Sequence, residues 1–471
     1  MIHSEIISQN REVKLNPNSH LLEMDPYDFE LQDISEPELF REMFPYTEVP
    51  KITYNYRRVP MNMPKEIFIT DTSFRDGQQS RAPYTKQQMV DIYKMLHKLG
   101  GKKGKIRQTE FFVYSEKDRD AMLACMDLGY EFPEITTWIR ASSKDFELVK
   151  NLNVKETGIL TSCSDYHIFN KMGLTRKKAL DKYIRVVSDC IEAGLRPRCH
   201  FEDITRADFY GFVVPFATEL RKLSEQSGVP IKIRACDTMG YGVPYAGVAL
   251  PRSVAGIVYG LQHYAGFSSD MLEWHGHNDF YKVVSNASTA WQYGCGAVNC
   301  SLLGIGERTG NIPLEAMVFE YAALRGTFDG MNPTVITDIA KYIVHETDYK
   351  LPPMTPFVGK YFNLTRAGIH ADGLMKDTEI YNIFDTEKLL KRPAVVAISA
   401  TSGVAGIAYW INTHYHLKGS KAVDKKDPAV LAVKKWVDAQ YEGGRQTVIS
   451  DDELVKQVAL LNDNRFVEDK F

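Results

Sequence analysis

From residue 64 the chain alternates between short apolar runs and longer amphipathic stretches, and this alternation constrains the fold more than any other feature. The first run, Ile67-Phe68-Ile69, leads into Thr70-Asp71-Thr72-Ser73. Beyond it, Thr85-Lys86-Gln87-Gln88 has the capping-box pattern that opens a helix reaching to about Gly100. The pattern predicts strands at 106–113, 133–139, 156–161, 197–202, 230–236, 270–275 and 297–303. Helices are predicted at 115–128, 143–151, 175–193, 207–226, 251–265, 280–293 and 312–325. Strands separated by helices imply a parallel sheet. Eight strand–helix units in about 260 residues match a (β/α)₈ TIM barrel, whose usual size is about 250 residues. An open doubly wound sheet is the alternative. It normally carries a Gly-rich phosphate-binding turn after its first strand, and Arg75-Asp76-Gly77-Gln78-Gln79 is not one.

Around this α/β barrel, assigned to residues 64–330, the remaining chain reads as appendages. Residues 1–63 form an N-terminal extension, with segments such as Glu36-Pro37-Glu38-Leu39-Phe40-Arg41 expected as short helices. After Gly330-Met331-Asn332-Pro333 the alternation stops. A helix is predicted at 334–350, a Pro-rich break follows at Leu351–Pro356, and residues 331–411 are read as a linker and subdomain. A helical tail, 412–471, has helical periods at 428–440 and 451–462, so the C-terminal region is mainly helical. A net charge of −3 argues against nucleic acid or an anionic membrane as partner. No apolar run is long enough to span a bilayer, and Met1-Ile2-His3-Ser4-Glu5 does not open a signal peptide. The seven Cys form no C-x-x-C pair, which fits reduced thiols in a cytoplasmic chain.

Active sites of such barrels sit at the C-terminal ends of the strands. That rule gathers Asp71, Arg75 and Asp76 from the first strand, Gln108 and Glu110 from the second, and Arg140 from the third. The fifth strand adds His200, Glu202 and Asp203, and the sixth adds Asp237 and Thr238. His275, His277 and Asn278 come from the seventh, and Gly304-Ile305-Gly306-Glu307-Arg308-Thr309-Gly310-Asn311 follows the eighth. Solvated caps account for Asp237 or Asn311 singly, but not for the whole ring. His275 and His277, two apart on a strand, share a face with Gly276 between them. Two imidazoles and a first-strand carboxylate favour a divalent ion with open positions, and Mg²⁺, Mn²⁺, Fe²⁺ and Zn²⁺ all suit the donors. Such an ion chelates a 2-oxo acid and polarises its carbonyl. Arg75 and Arg140 are placed to grip carboxylates. For Arg75 an ion pair with Glu110 is an equal alternative.

Thr70-Asp71-Thr72-Ser73-Phe74-Arg75-Asp76-Gly77-Gln78-Gln79, His275-Gly276-His277-Asn278-Asp279 and Gly304–Asn311 together resemble the DRE-TIM metallolyase superfamily, over roughly residues 65–410. Its members include 2-isopropylmalate, homocitrate and citramalate synthases and extend to hydroxymethylglutaryl-CoA lyase. Within it, the run Ser73–Tyr84, the long N-terminal extension and the short tail are most similar to members that condense acetyl-CoA with oxaloacetate. The resemblance implies Asp76, His275 and His277 as metal ligands, with Asn311 on or near the ion or acting as a helix N-cap. It implies Mn²⁺ or Mg²⁺ as the cofactor, with Co²⁺ or Zn²⁺ as further candidates. Arg75 would bind the oxo acid and stabilise an alkoxide, Thr238 would hold a carboxylate, and Gln79, Glu110, Arg140 and Asn311 would complete the substrate contacts. Glu202 would do acid–base work. His370, in Ala367-Gly368-Ile369-His370-Ala371-Asp372-Gly373, and Tyr381 would be catalytic groups supplied by a neighbouring subunit, which requires a homodimer.

Two departures stand out. Gln78 replaces the Glu of many relatives, and Cys199-His200-Phe201-Glu202-Asp203 replaces a Ser-rich fifth strand, which leaves the role of His200 open. A leucine-sensing domain is not expected after residue 411. The expected reaction is a Claisen condensation of acetyl-CoA with oxaloacetate, followed by thioester hydrolysis. The alternatives are 2-oxoglutarate or pyruvate as acceptor, a hydroxyacyl-CoA lyase, a non-haem Fe(II) oxygenase, and a metal-free interaction protein.

Overall fold

The computed structural model describes residues 29–466 and two short antiparallel strands, Val13–Leu15 and Leu22–Met24. The rest of the expected N-terminal extension, Met1–Glu5 included, lies outside the described residues. Eight strands form one closed barrel. They are β1 (Phe68–Asp71), β2 (Ile106–Phe111), β3 (Glu134–Arg140), β4 (Glu156–Ser162), β5 (Arg196–Glu202), β6 (Lys232–Asp237), β7 (Leu272–Gly276) and β8 (Ala297–Cys300). Neighbours pair in parallel around the ring, and β8 closes it by lying between β7 and β1. The helices that follow the strands are α1 (Lys86–Gly100), α2 (Glu116–Met126), α3 (Ser143–Phe146), α4 (Arg176–Glu192), α5 (Val214–Ser227), α6 (Val254–His263), α7 (Val283–Tyr293) and α8 (Leu314–Arg325). Their start points are written locally. Thr85 and Gln88 form the expected capping box on α1, and Ser115, Thr175 and Ser253 each accept a backbone N–H three residues on. Each such cap contributes about 1 kcal/mol.

Along the strands, alternate side chains face the helices and the barrel axis. Outward-facing Phe201 of β5 stacks on Phe216 of α5 at 4.9 Å. Inward, β5 presents Arg198, His200 and Glu202 in succession. Barrel interiors are usually filled by branched apolar residues, whereas here ion pairs fill much of the space. Arg198 Nη1 donates to Glu156 Oε1 at 2.9 Å, Lys232 Nζ lies 2.8 Å from Glu156 Oε2, and Arg234 Nε donates to Glu273 Oε2 at 2.6 Å.

Three expectations need correction. Glu36–Arg41 forms no helix: Phe40 has φ 45°, and the backbone N–H of Glu38 donates to Asp165 at 2.8 Å, holding the segment extended against the barrel. The helix expected at 143–151 ends at Phe146 and continues as turns. The eighth strand stops at Cys300 because the chain turns into a 3₁₀ segment, Leu302–Gly304, with Leu303 at φ 56°.

The chain divides into two compact units, residues 1–332 with 346–348, and residues 333–345 with 349–471. The second has its own apolar core of Ala371, Val396, Ile407, Trp410, Val430, Val433 and Val458, among others. It is built from helices Gly368–Lys376, Val404–His414, Pro428–Glu442 and Asp451–Ala459, with a two-residue parallel pairing of Leu364–Thr365 and Val395–Val396. The boundary expected at residue 411 falls inside Val404–His414, and one core joins both sides of it.

Candidate active site and metal centre

After β1 the chain makes a tight loop and a single helical turn, Asp76–Gln79. Asp71 shapes this loop by accepting the N–H and hydroxyl of Ser73 (3.2 and 2.6 Å) and the hydroxyl of Thr109 (2.6 Å). Its carboxylate is consumed internally, and burial pushes its pKa up to about 6. Asp76, at the start of the turn, faces the end of β7. His275 Nε2 is 3.5 Å from Asp76 Oδ2, His277 Nε2 is 3.8 Å from it, and the two Nε2 atoms are 3.4 Å apart. Ligands each about 2.0–2.2 Å from one ion stand about 3–3.5 Å from one another. All three side chains are buried, and among the described residues no other group of three or more His, Cys, Asp or Glu side chains has such a cluster of donor atoms. The donor set fits a divalent ion.

The surrounding groups orient these three side chains. Asn299 on β8 donates its amide to Thr70 Oγ1 at 2.9 Å, which leaves its Oδ1 to accept from His275 Nδ1 at 2.9 Å. The proton is thus on Nδ1 and the Nε2 lone pair is free toward the cluster. Burial, which outweighs the nearby Asp76, pushes the pKa of His275 down to about 3 and lowers that of His277. Both rings are neutral at neutral pH. Asp76 is driven up by burial but held well below the carboxylate range, first by Arg75 and also by the hydrogen bond from Asn311. Asn311 donates from Nδ2 to Asp76 Oδ2 at 2.7 Å, and its Oδ1 is buried without a partner. It is not a helix cap: α8 begins after Pro313 with no side-chain cap. Gly306 makes room for it, since a Cβ there would lie 2.5 Å from Asn311 Cγ.

Below the triad, Glu110 is a hub. It accepts from Arg75 Nε at 2.7 Å, Arg198 Nη2 at 2.6 Å, Arg234 Nη1 at 3.0 and 3.1 Å, and Thr72 Oγ1 at 3.2 Å. Burial alone would raise its pKa, but Arg234, Arg75, His200 and Arg198 hold it well below the ordinary value. A carboxylate offers about four acceptor sites, so Glu110 has none left for substrate and instead aims Arg75. His200 lies 3.4 Å from Glu110, and burial lowers its pKa to about 3. Its ring occupies the space above Gly158, where a Cβ would come within 2.6 Å of Nε2. Gly158→Ala is therefore expected to cost about 1–3 kcal/mol, measured as a lowered urea midpoint.

Residues 66–343 match the HMGL-like family. The chain belongs to that family. It is 57% identical to the citrate (Re)-synthase of Clostridium kluyveri over 91% of this chain and 94% of that protein. It is 55% identical to the citrate (Re)-synthase of Syntrophus aciditrophicus over 97% of this chain and 73% of that protein. A 2-phosphinomethylmalate synthase of Streptomyces hygroscopicus is 36% identical over 90% of this chain and 96% of that protein. Among solved structures, hydroxymethylglutaryl-CoA lyase from Pseudomonas aeruginosa superposes with a TM-score of 0.50 at 16% identity, covering 62% of this chain and 96% of that one. That likeness concerns the fold.

The residues that family resemblance singles out are distributed unevenly. Arg75, Asp76, His275, His277 and Asn311 come together in one cluster of contacts. Gln79 ends its helical turn exposed, while Gln78 is turned inward, donating to Phe74 O and accepting from the N–H of Tyr84. Arg140 is engaged by a carboxylate of its own chain, a bidentate pair with Asp145 at 2.6 and 3.0 Å, with its side chain 65% exposed. Thr238 Oγ1 accepts the N–H of Asp203 at 2.8 Å. Asp237 is no solvated cap. It is buried, accepts from Thr205 Oγ1 and Gly242 N, and is pushed up to about 6 by burial. In the second unit His370 and Tyr381 stand ring to ring, with centroids 4.3 Å apart. Sequence reasoning missed Asn299, whose partner is known only once β8 lies beside β7. It also missed His167 and Lys171, which approach Glu202 from the segment after β4.

Proposed function

We infer that this chain condenses acetyl-CoA with oxaloacetate and hydrolyses the resulting thioester to citrate and CoA, as a citrate (Re)-synthase. The observation that carries this reading is the identity of more than half with two citrate (Re)-synthases along nearly the whole chain. Supporting it is the cluster Asp76, His275 and His277 at the mouth of a closed barrel. In this reading those three side chains hold a divalent ion, Mn²⁺ or Mg²⁺ first and Co²⁺ or Zn²⁺ as further candidates, with Asn311 fixing Asp76. When bound, the ion supplies Lewis-acid polarisation of a keto group. Arg75, aimed by Glu110 and stacked over Trp138 at 5.4 Å, offers a fixed cation to the oxo acid and to the negative charge that develops on its keto oxygen. Glu202 or His370 removes a methyl proton from the acetyl thioester, and Thr238 lines the oxo-acid side.

The test is release of free CoA over a panel of oxaloacetate, 2-oxoglutarate and pyruvate, with labelled acetyl-CoA to locate the new carbons in the product. Oxaloacetate is expected to be turned over fastest. Preference for 2-oxoglutarate or pyruvate would identify a homocitrate or citramalate synthase. Thioester cleavage of a hydroxyacyl-CoA with no oxo acid present would identify a lyase.

We further propose a homodimer in which His370 and Tyr381 serve the barrel of the other subunit. Mixing inactive Asp76→Ala and His370→Ala chains then yields hybrids with one intact site. Activity is expected to recover to about a quarter of wild type at random equal mixing. Recovery below one-twentieth would place both groups within one subunit.

A further inference from the structure

We propose that His167 is a positioning residue for Glu202. Together with Lys171 on one π-helical turn, it keeps that carboxylate ionised and fixed at the barrel mouth, so that Glu202 enters the reaction as the base. This rests on the acid–base role given to Glu202 above.

The turn Tyr166–Lys171 follows β4 almost directly, after Cys163-Ser164-Asp165. Single π-helical turns concentrate at functional sites. Its winding brings residues 167 and 171 to the same carboxylate. His167 Nδ1 is 3.1 Å from Glu202 Oε2, and Lys171 Nζ is 3.7 Å from Glu202 Oε1. Ser162 Oγ donates to the same Oε2. On its other side His167 Nε2 stands 3.7 Å from Asp203 Oδ2, and Lys171 Nζ is 3.4 Å from His167 Nδ1. Glu202 is the last residue of β5, and its side chain is 16% exposed, so it is gripped at the rim without being sealed off.

The thiols and the phenol around Glu202 carry no charge. Cys163, Cys236 and Tyr183 are all held protonated by burial. Asp203 is a second acid, matched by Arg206 at 2.9 Å and by the hydroxyl of Ser164. His167 and Lys171 are thus the groups that set the protonation of Glu202. Burial pushes its pKa up, and His167, then Ser162 and Lys171, bring it down to about 2. A thioester covering the mouth removes the remaining water and strengthens the upward push. Holding the carboxylate ionised in that state is what the turn contributes. In the step itself the methyl C–H bond breaks, its proton passes to a Glu202 oxygen, and its electron pair becomes the enolate. The enolate forms the new C–C bond to the keto carbon, whose oxygen takes the negative charge.

The experiment compares kcat at saturating substrates against pH, which reports the substrate-bound enzyme, with melting temperatures, for the full-length wild type, Glu202→Gln, Lys171→Met, and the double variant His167→Gln/Lys171→Met. Glu202→Gln is expected to lose on the order of 10²-fold or more in kcat at every pH. In the double variant the alkaline plateau is retained, while the acid limb moves up by about one pH unit or more. Lys171→Met, whose lysine is 59% exposed, is expected to leave the fold intact and to shift the limb the same way by less. A double variant with an unmoved acid limb, or with activity lost evenly at all pH, overturns the inference. If the double variant fails to fold, an unmoved limb in Lys171→Met overturns it and an upward shift supports it. Near-normal activity in Glu202→Gln would instead refute the role of Glu202 itself, a separate result.

Discussion

Asp76→Ala is expected to lower kcat by on the order of 10³-fold or more and to abolish retention of a divalent ion after dialysis. The carboxylate is the only anionic member of the triad, and the two imidazoles beside it are neutral, so its loss removes all the negative charge the donors offer. Lewis-acid assistance is worth several kcal/mol, and each 1.36 kcal/mol is tenfold in rate. The loss also frees Asn311 Nδ2 and Arg75 Nη1 from Asp76, to which they donate at 2.7 and 3.2 Å, loosening the second cation of the site. Metal content by mass spectrometry and kcat at saturating Mn²⁺ read the two effects. A variant that keeps both a stoichiometric ion and its activity would show that the ion sits elsewhere. Asn311→Ala tests the neighbouring layer, where ligand-orienting groups typically contribute 10–100-fold in affinity.

The largest stability effect is expected at Glu110. Glu110→Gln replaces the anion on which Arg75, Arg198 and Arg234 converge, leaving three buried guanidinium groups with one matching charge fewer. Breaking a buried ion pair from one side costs about 3–5 kcal/mol. The deficit is expected to depend on pH in a defined direction. The folded carboxyl titrates well below the usual 4.5 of an unfolded glutamate. Its contribution is therefore complete above about pH 4.5 and is lost as acid carries the pH down through the folded value. Wild type and variant should differ most near neutrality and converge in acid, as read by urea unfolding at a series of pH values. A constant difference would mean that shape, not charge, is what Glu110 contributes.

The barrel was legible because its signal is long. Eight alternations with capped helices leave few folds, and the structure differs mainly at segment ends, as in α3 and β8. The triad was legible for a different reason: His275 and His277 announce themselves by their spacing on one strand, and motif order supplied Asp76. Less could be read where side chains serve each other across strands. Arg75, Arg140, Glu110 and Thr238 were all sensed at strand ends, but nothing in their positions says that Arg140 is already paired with Asp145 or that Glu110 is saturated. The alternation Arg198-x-His200-x-Glu202 did carry a trace of the polar interior, since a strand with charges every second residue must turn them inward or to solvent. His167 was hidden because a π-helical turn has no simple periodic signature, and its partner lies on the next strand.

The order of strands around the barrel has a further consequence. β8 joins β7 to β1, and Asp76, His275 and His277 come from the ends of these two strands and the turns that follow them. A chain emerging from the ribosome carries Asp76 early but cannot set the histidines opposite it until some three hundred residues have been made and the last staves of the cask are seated. In the proposed reading, capture of an ion by these donors would report completion of the cylinder, and a truncated product lacking the eighth stave would be blind to metal however much of its helical content had formed.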